Sequence, residues 1–485
     1  MLQKYALAVL SCLATFFFVG ATTSKAQSFE WAARMAGTTG GHHGDSASRS
    51  VLDISGNLYV TGVFDGTEDF KPGSGTTTLT VAPSVSPAGF VVKLDSAGKL
   101  LWAKRVGSSN ASTSVAVDGE GSVVLAGTFR GTVDFDPGPE VVNLTTTGVD
   151  TFVVKLDSAG AFVWARKLGG PDTHLRIDGS EVATDDADNI YVAGTFSGTE
   201  DFDPGLGVTN LASAGEEDIF VSKLDSAGRF VWAKRIGNSF GDQVYGLAVD
   251  SNRYVHITGN FSTIVDFNPG PGVFSLRAGD SSDAFVLKLD SAGHFIWARN
   301  VGTDIYALGY DIAVDSAGNV VTTGSFYGSA DFDPGAGVYR LNAGERNNTF
   351  VLKLDNTGSF VWARNLNSTR WGEGLGIAVD RAGDVYTTGY FRGTADFDPG
   401  RGSFTMKGYL DAIFVWKLTS SGLFAWAVKM GGAQGERGES IAVDASGVYT
   451  AGSFFGTADF DPGPAVHNFA AGDFQALFVS KLSQP

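Results

Sequence analysis

Seven copies of Asp-Phe-x-Pro-Gly punctuate the chain, beginning at Asp69, Asp134, Asp201, Asp266, Asp331, Asp396 and Asp459. In five of them the third residue is also an aspartate, giving the pairs Asp134/Asp136, Asp201/Asp203, Asp331/Asp333, Asp396/Asp398 and Asp459/Asp461. Two carboxylates at i and i+2 on a sharp turn could offer oxygens to Ca²⁺, a hard cation that takes about six to eight. The plainer account is a turn, since Pro followed by Gly suits its two central positions. Two copies favour that account: the third position is Lys71 in the first, where an ammonium would repel a cation, and Asn268 in the fourth. Ca²⁺ is the sole cofactor these motifs admit.

A second set of reactive side chains differs from repeat to repeat. It comprises His42, His43, Asp45 and Arg49, then His174, Arg176, Asp178 and Glu181, then Tyr306 and Tyr310. Arg370, Trp371 and Glu373 follow, and Glu436, Arg437 and Glu439 complete it. Arginines and aromatics around a concave mouth suit a sugar or a peptide carboxylate. A solvated loop surface explains any one of them equally well. Catalytic signatures are weak. Gly237-Asn-Ser-Phe-Gly241 matches Gly-x-Ser-x-Gly but precedes no helix, so the nucleophile-elbow context is missing. His42-His43-Gly-Asp45 has no second cluster to complete a metal site. A glycosidase or lyase acting on acidic sugars would need a placed acid and base. The Asp, Glu, Tyr and Arg residues are available, but no complete constellation is spelled out, and no catalytic residue is assigned.

The elements that would position these residues come from internal repetition, which is sought before anything else. Phe-Val-x-Lys-Leu begins at Phe90, Phe152, Phe220, Phe285, Phe350, Phe414 and Phe478, followed by Asp in the first five, and a Trp half centres on Trp31, Trp102, Trp164, Trp232, Trp297, Trp362 and Trp426. Successive Asp-Phe motifs lie 65, 67, 65, 65, 65 and 63 residues apart. Each repeat holds four short runs rich in Val, Ile, Phe, Tyr and Thr, bounded by glycine turns. In the fifth these are strand A at Tyr310–Asp315, B at Asn319–Phe326, C at Phe350–Leu354 and D at Phe360–Arg364. Asp315-Ser-Ala-Gly318 and Asp157-Ser-Ala-Gly160 are tight turns, with Asp accepting backbone N–H bonds and Gly supplying positive φ. Strand C's lysine and strand D's tryptophan recur in all seven repeats, so neither marks a unique site; both read as blade packing.

The chain opens on a lone D strand, near residues 28–34, and finishes on a lone C strand, 478–482. Pairing them would complete the last repeat. The expected fold is therefore all-β: a seven-bladed β-propeller of four-stranded antiparallel blades, closed by the N-terminal strand. Blades fall at about 45–106, 111–168, 179–237, 243–301, 308–366, 373–430 and 438–485 with 28–34. Short, uniform A–B and C–D turns occupy one face. The variable B–C and D–A segments, such as 131–149, occupy the other, which is the expected working face.

Val-Asp-x-x-Gly-Asn-x-Tyr-Val-x-Gly and Phe-Val-x-Lys-Leu-Asp resemble the bacterial secreted β-propeller repeat of the SBBP type. The likeness covers essentially all of 28–485 and implies the fold; it implies no catalytic residues. Residues 1–26 read as a signal peptide, with Lys4, an apolar run and Ser24-Lys25-Ala26 before Gln27. Cleavage would leave a secreted, periplasmic or envelope protein without membrane insertion. Cys12 is the sole cysteine, so a mature chain would carry neither disulfide nor zinc–thiolate site. The formal charge of −17 repels phosphate backbones and excludes nucleic acid as a natural partner. An exported binding or scaffolding module for a polysaccharide or cell-surface protein is the leading expectation. A sugar-cleaving enzyme and a purely structural envelope component are the alternatives.

Overall fold

A computed structural model describes residues 27–39, 45–81, 87–107, 113–170, 181–472 and 474–484. The expected signal peptide lies outside them. Every regular element among the described residues is a β-strand, and no helix there is long and apolar enough to cross a membrane.

The strands repeat as four-stranded antiparallel sheets. In the fifth repeat, Tyr306–Val314, Val320–Asp331, Arg340–Leu354 and Phe360–Asn365 pair in that order. Strands A, B and C exceed their expected lengths. The B and C strands continue past the blade as a hairpin arm, Asp331 opposite Arg340, so the supposed B–C loop is mostly ladder. The same extension pairs Asp134 with Asn143 in the second repeat, leaving only 135–142 as the turn. A register shift beyond Phe326 bends the arm out of the blade.

The Asp-Phe motif closes that arm. Its phenylalanine is buried in every repeat, from Phe70 to Phe460. It packs edge-on against a strand B phenylalanine, as Phe332 does with Phe326 at 5.2 Å and 83°. Its aspartate caps the turn. Asp331 Oδ1 accepts the N–H of Asp333 at 3.1 Å and of Tyr339 at 2.8 Å.

Adjacent repeats are stitched by the invariant residues. The Trp362 indole donates to Ser420 O of the next C–D turn at 3.1 Å. Gly422 of that turn, at φ +75°, lies so near the ring that a Cβ would sit 2.7 Å from it. Lys353 Nζ reaches Asp315 of its own A–B turn at 2.9 Å, while Lys288 Nζ also donates to Asn356 O of the next repeat at 3.4 Å.

Phe29–Thr39 runs antiparallel to Ala476–Leu482, with Arg34 opposite Phe478. Its far end then pairs with the first repeat's arm, Ala36 opposite Asp69. Trp31 donates to Ser96 O of the first repeat at 3.2 Å, and Lys481 to the same oxygen at 3.3 Å.

Candidate functional site at the inner strands

Strand A of five repeats carries a β-bulge, leaving one of its own residues without a partner each time. The skipped residues are Ser48, Tyr245, Tyr310, Leu375 and Glu439, each five positions before the aspartate of the A–B turn. A bulge re-aims its extra side chain. These five residues line one cavity of about 320 Å³, together with Arg49 and Glu181.

The following position forms a buried polar layer. Arg49 is bidentate on Glu181, at 3.0 Å and 2.8 Å, and donates to Tyr245 O. Ser114 donates to the same carboxylate at 3.1 Å. Side chains of this layer also accept backbone N–H groups of the next strand A. Asp311 accepts from Ile377 at 2.9 Å, Ser114 from Val182 at 3.3 Å, and Ser440 from Ser50 at 2.9 Å. Where the layer needs backbone contact it has glycine: a Cβ on Gly376 would meet Ser440 Cα at 3.0 Å.

This layer is short of positive charge. Burial would lower the Arg49 pKa, but Glu181 and Asp311 outweigh it and raise it. Burial pushes Asp311 up to about 6 despite the Arg49 charge, and Glu439 up to about 7 despite Arg437 and Arg49.

Above the throat, a second cluster spans the fifth to seventh repeats. Glu373 accepts from Trp371 Nε1 at 3.2 Å and from Asn347 Nδ2 at 3.4 Å. Tyr306 donates to Asn347 and stacks on Tyr327 with centroids 5.9 Å apart. Arg437 lies over the Tyr390 ring at 4.5 Å and meets Asp411 at 3.5 Å. Arg392 pairs with the same carboxylate. A cavity of about 360 Å³ adjoins, and Glu439 lines it as well.

Of the residues singled out in the sequence, Arg49, Glu181, Tyr310 and Glu439 meet at the throat, and Tyr306, Trp371, Glu373 and Arg437 lie in the cluster with Asn347 and Tyr390. Glu436 does not face the mouth: it is 1% exposed, and its carboxylate accepts the N–H of Gln434 at 3.4 Å. Asp45, 4% exposed, likewise turns inward to accept the Asp65 N–H at 3.2 Å. Arg370 is exposed. His42, His43, His174, Arg176 and Asp178 lie outside the described residues. Sequence reading missed Tyr245, Leu375, Asp311, Asn347, Arg392 and Asp411. Spacing from the A–B turn aspartate would have found the first three.

The aspartate pairs are committed to turns. Asp134, Asp201, Asp396 and Asp459 each accept two backbone N–H groups through Oδ1. Asp136, Asp203, Asp333, Asp398 and Asp461 each accept a glycine N–H. Asp69 and Asp266 keep their bonds where Lys71 or Asn268 takes the third position, and Asn268 accepts the Gly270 N–H as the aspartates do. No group of three or more acidic, His or Cys side chains placed to hold a metal occurs among the described residues.

The opposite end has its own opening, a cavity of about 720 Å³ bounded by A–B turns, including Ile54, Arg381 and Ser446. Its aspartates serve the turns themselves, as Asp53 does for Ser55 and Asn57 at 2.9 Å each.

Known proteins share parts of this chain. An uncharacterized WD repeat-containing protein of Acanthamoeba polyphaga mimivirus is 27% identical over 49% of the chain, which matches 19% of that protein. The regulatory protein FlaEY of Caulobacter vibrioides is 28% identical over 25% of the chain and 13% of its own length. The matched stretches thus span less than a fifth of either relative. Among solved structures, a protein of unknown function from Bacteroides caccae aligns over 70% of this chain and 89% of its own, at 8% identity and a TM-score of 0.35. Residues 231–267, running from one strand D through the next repeat's A and B, match the family model described as a β-propeller repeat, SBBP. Residues 231–267 thus carry a β-propeller repeat of the SBBP type.

Proposed function

We propose that the chain is a closed seven-bladed ring working as a binding or scaffolding module, with the B–C/D–A face recognising a polysaccharide or a cell-surface protein. The ring reading is supported by four bonds between the last and first repeats: Ala36 opposite Asp69, Trp31 and Lys481 on Ser96 O, and Ser50 on Ser440. The binding reading is carried by one observation. Repeats that share turns, tryptophans and lysines differ at the bulged position, where serine, two tyrosines, leucine and glutamate converge on one cavity. Unlike side chains converging on a concavity are what a ligand site needs. A repeated frame alone requires no such difference.

An enzyme reading on acidic sugars wants open arginines. Arg49, Arg392 and Arg437 are instead engaged by Glu181 and Asp411, so no observation favours it. Glycan-array and pull-down screens with the wild type and a Trp371→Ala/Arg370→Ala double variant test the binding reading. A partner retained by the wild type and weakened in the double variant is expected. Silence in both screens counts against it.

A further inference from the structure

Resting on the polysaccharide reading, we propose that the throat binds the protonated amine of an amino sugar, with Glu439 as counter-ion and Tyr245 and Tyr310 as flanking rings. The argument begins with hydrogen-bond satisfaction. Around the mouth, Glu181 has Arg49 and Ser114, Asp311 has two backbone N–H groups, and Glu373 has Trp371 and Asn347. Asp411 has Arg392 and Arg437. Glu439 differs: no described residue donates a hydrogen bond to its carboxylate, although it lines both cavities at this face. A desolvated carboxylate without a donor is costly. That cost is what raises it to about 7, and an incoming N–H donor carrying positive charge relieves it.

The walls favour the same ligand. Tyr245 and Tyr310 lie 5.8 Å apart at 59°, and tyrosine faces attract cations and stack on sugar rings. Ser46 and Ser48 add hydroxyls to the lining. The fixed charge of this layer, Arg49, is already spent on Glu181, so an anionic ligand finds no free guanidinium in the throat. At about 320 Å³ the cavity sits at the small end of ligand pockets, the size of one sugar residue. Carbohydrate is favoured over a lysine side chain because hydroxyl partners and paired rings line the cavity. A metal is disfavoured by the lack of further free ligands among the described residues.

The test is calorimetric titration of the full mature chain with a glucosamine oligomer, its fully N-acetylated counterpart, an oligogalacturonate and a lysine-bearing peptide. The expected result is binding of the glucosamine oligomer about tenfold or more tighter than the acetylated one, the scale of one charge-assisted contact. Glu439→Gln should abolish that preference at an unchanged or raised melting temperature, and Tyr310→Leu should weaken binding of the amine form. Preference for the acetylated or galacturonate oligomer overturns the amine inference and leaves the polysaccharide reading standing. Binding of the peptide alone, or an unchanged preference in Glu439→Gln, overturns the inference. Silence on all three glycans overturns both.

Discussion

The two ends of the repeated sheets handle carboxylates in opposite ways. At the A–B and C–D turns, burial pushes Asp53, Asp185 and Asp315 upward, but asparagine side chains, backbone N–H groups and the strand C lysines hold them below their ordinary value. Asp225, Asp290 and Asp355 of the C–D turns are lowered too, burial again being outweighed by hydrogen bonds. At the other end burial wins. Asp45, Asp242 and Glu439 rise to about 7 and Glu68 to about 9, with Asp45 beside it. One end is built to keep its acids charged; the other encloses acids that resist ionisation. Desolvation acts on both, and the supply of donors decides which way each group moves.

Titration of stability should expose this contrast most strongly, because many groups act together. Acids lowered by folding stabilise above their unfolded pKa and lose that contribution as pH falls through the folded value. Acids raised by folding stabilise below the unfolded pKa and lose it as pH rises towards about 7, the value reached by Asp242. The melting temperature should therefore fall on both sides of a maximum on the acid side of neutrality. Asp242→Asn should flatten the upper limb and Asp315→Asn the lower one. A melting temperature flat from pH 4 to 8 would refute the contrast.

Single ion pairs should rank the same way. Lys353→Met removes the ammonium from Asp315, which keeps its Asn319 and backbone donors, and should cost about 2 kcal/mol, whereas Arg437→Met, at an exposed contact, should cost under about 1 kcal/mol; urea unfolding measures both. Glycines sharpen the comparison as well. Gly422→Ala places a Cβ 2.7 Å from Trp362 at φ +75° and should cost about 2 to 3 kcal/mol. Gly435→Ala, at φ +104° with nothing within 4 Å, should cost about 1 kcal/mol of backbone strain alone.

The smallest predicted difference concerns one junction between repeats. Trp362 donates to a C–D turn. The Trp426 indole N–H, like that of Trp164, has no acceptor. Trp362→Phe should therefore cost about 1 kcal/mol more than Trp426→Phe. Equal costs in thermal melts would erase the distinction.

Much of the frame was legible because each invariant residue has one local job. Asp-Phe-x-Pro-Gly announces a turn, and its Phe a core contact; Trp and Gly, read 58 to 67 residues apart, meet at the same blade edge, as Trp362 and Gly422 do. The bulges were not legible, since looping out one strand A residue is a backbone event and leaves only a spacing. Nor were the ion pairs: Arg49 and Glu181 are 132 positions apart, and nothing local tells either that the other is near. Glu436 misled for a related reason. A glutamate in a variable loop reads as surface until the backbone folds over it.

The pairing of Phe29–Thr39 with Ala476–Leu482, so far apart along the chain, has a consequence for biogenesis. While the polypeptide is being synthesised, the far end of Phe29–Thr39 can pair early with Thr67–Asp69, but residues 29–35 have no ladder to join until Ala476–Leu482 exists. Closing so long a loop costs little more free energy than closing a short one, but the search is slow. Throughout that interval the molecule offers one open strand and needs one. A neighbouring copy at the same stage presents the same vacancy, so crowded synthesis favours exchanged dimers, and dilution or a chaperone over the leading strand favours monomers.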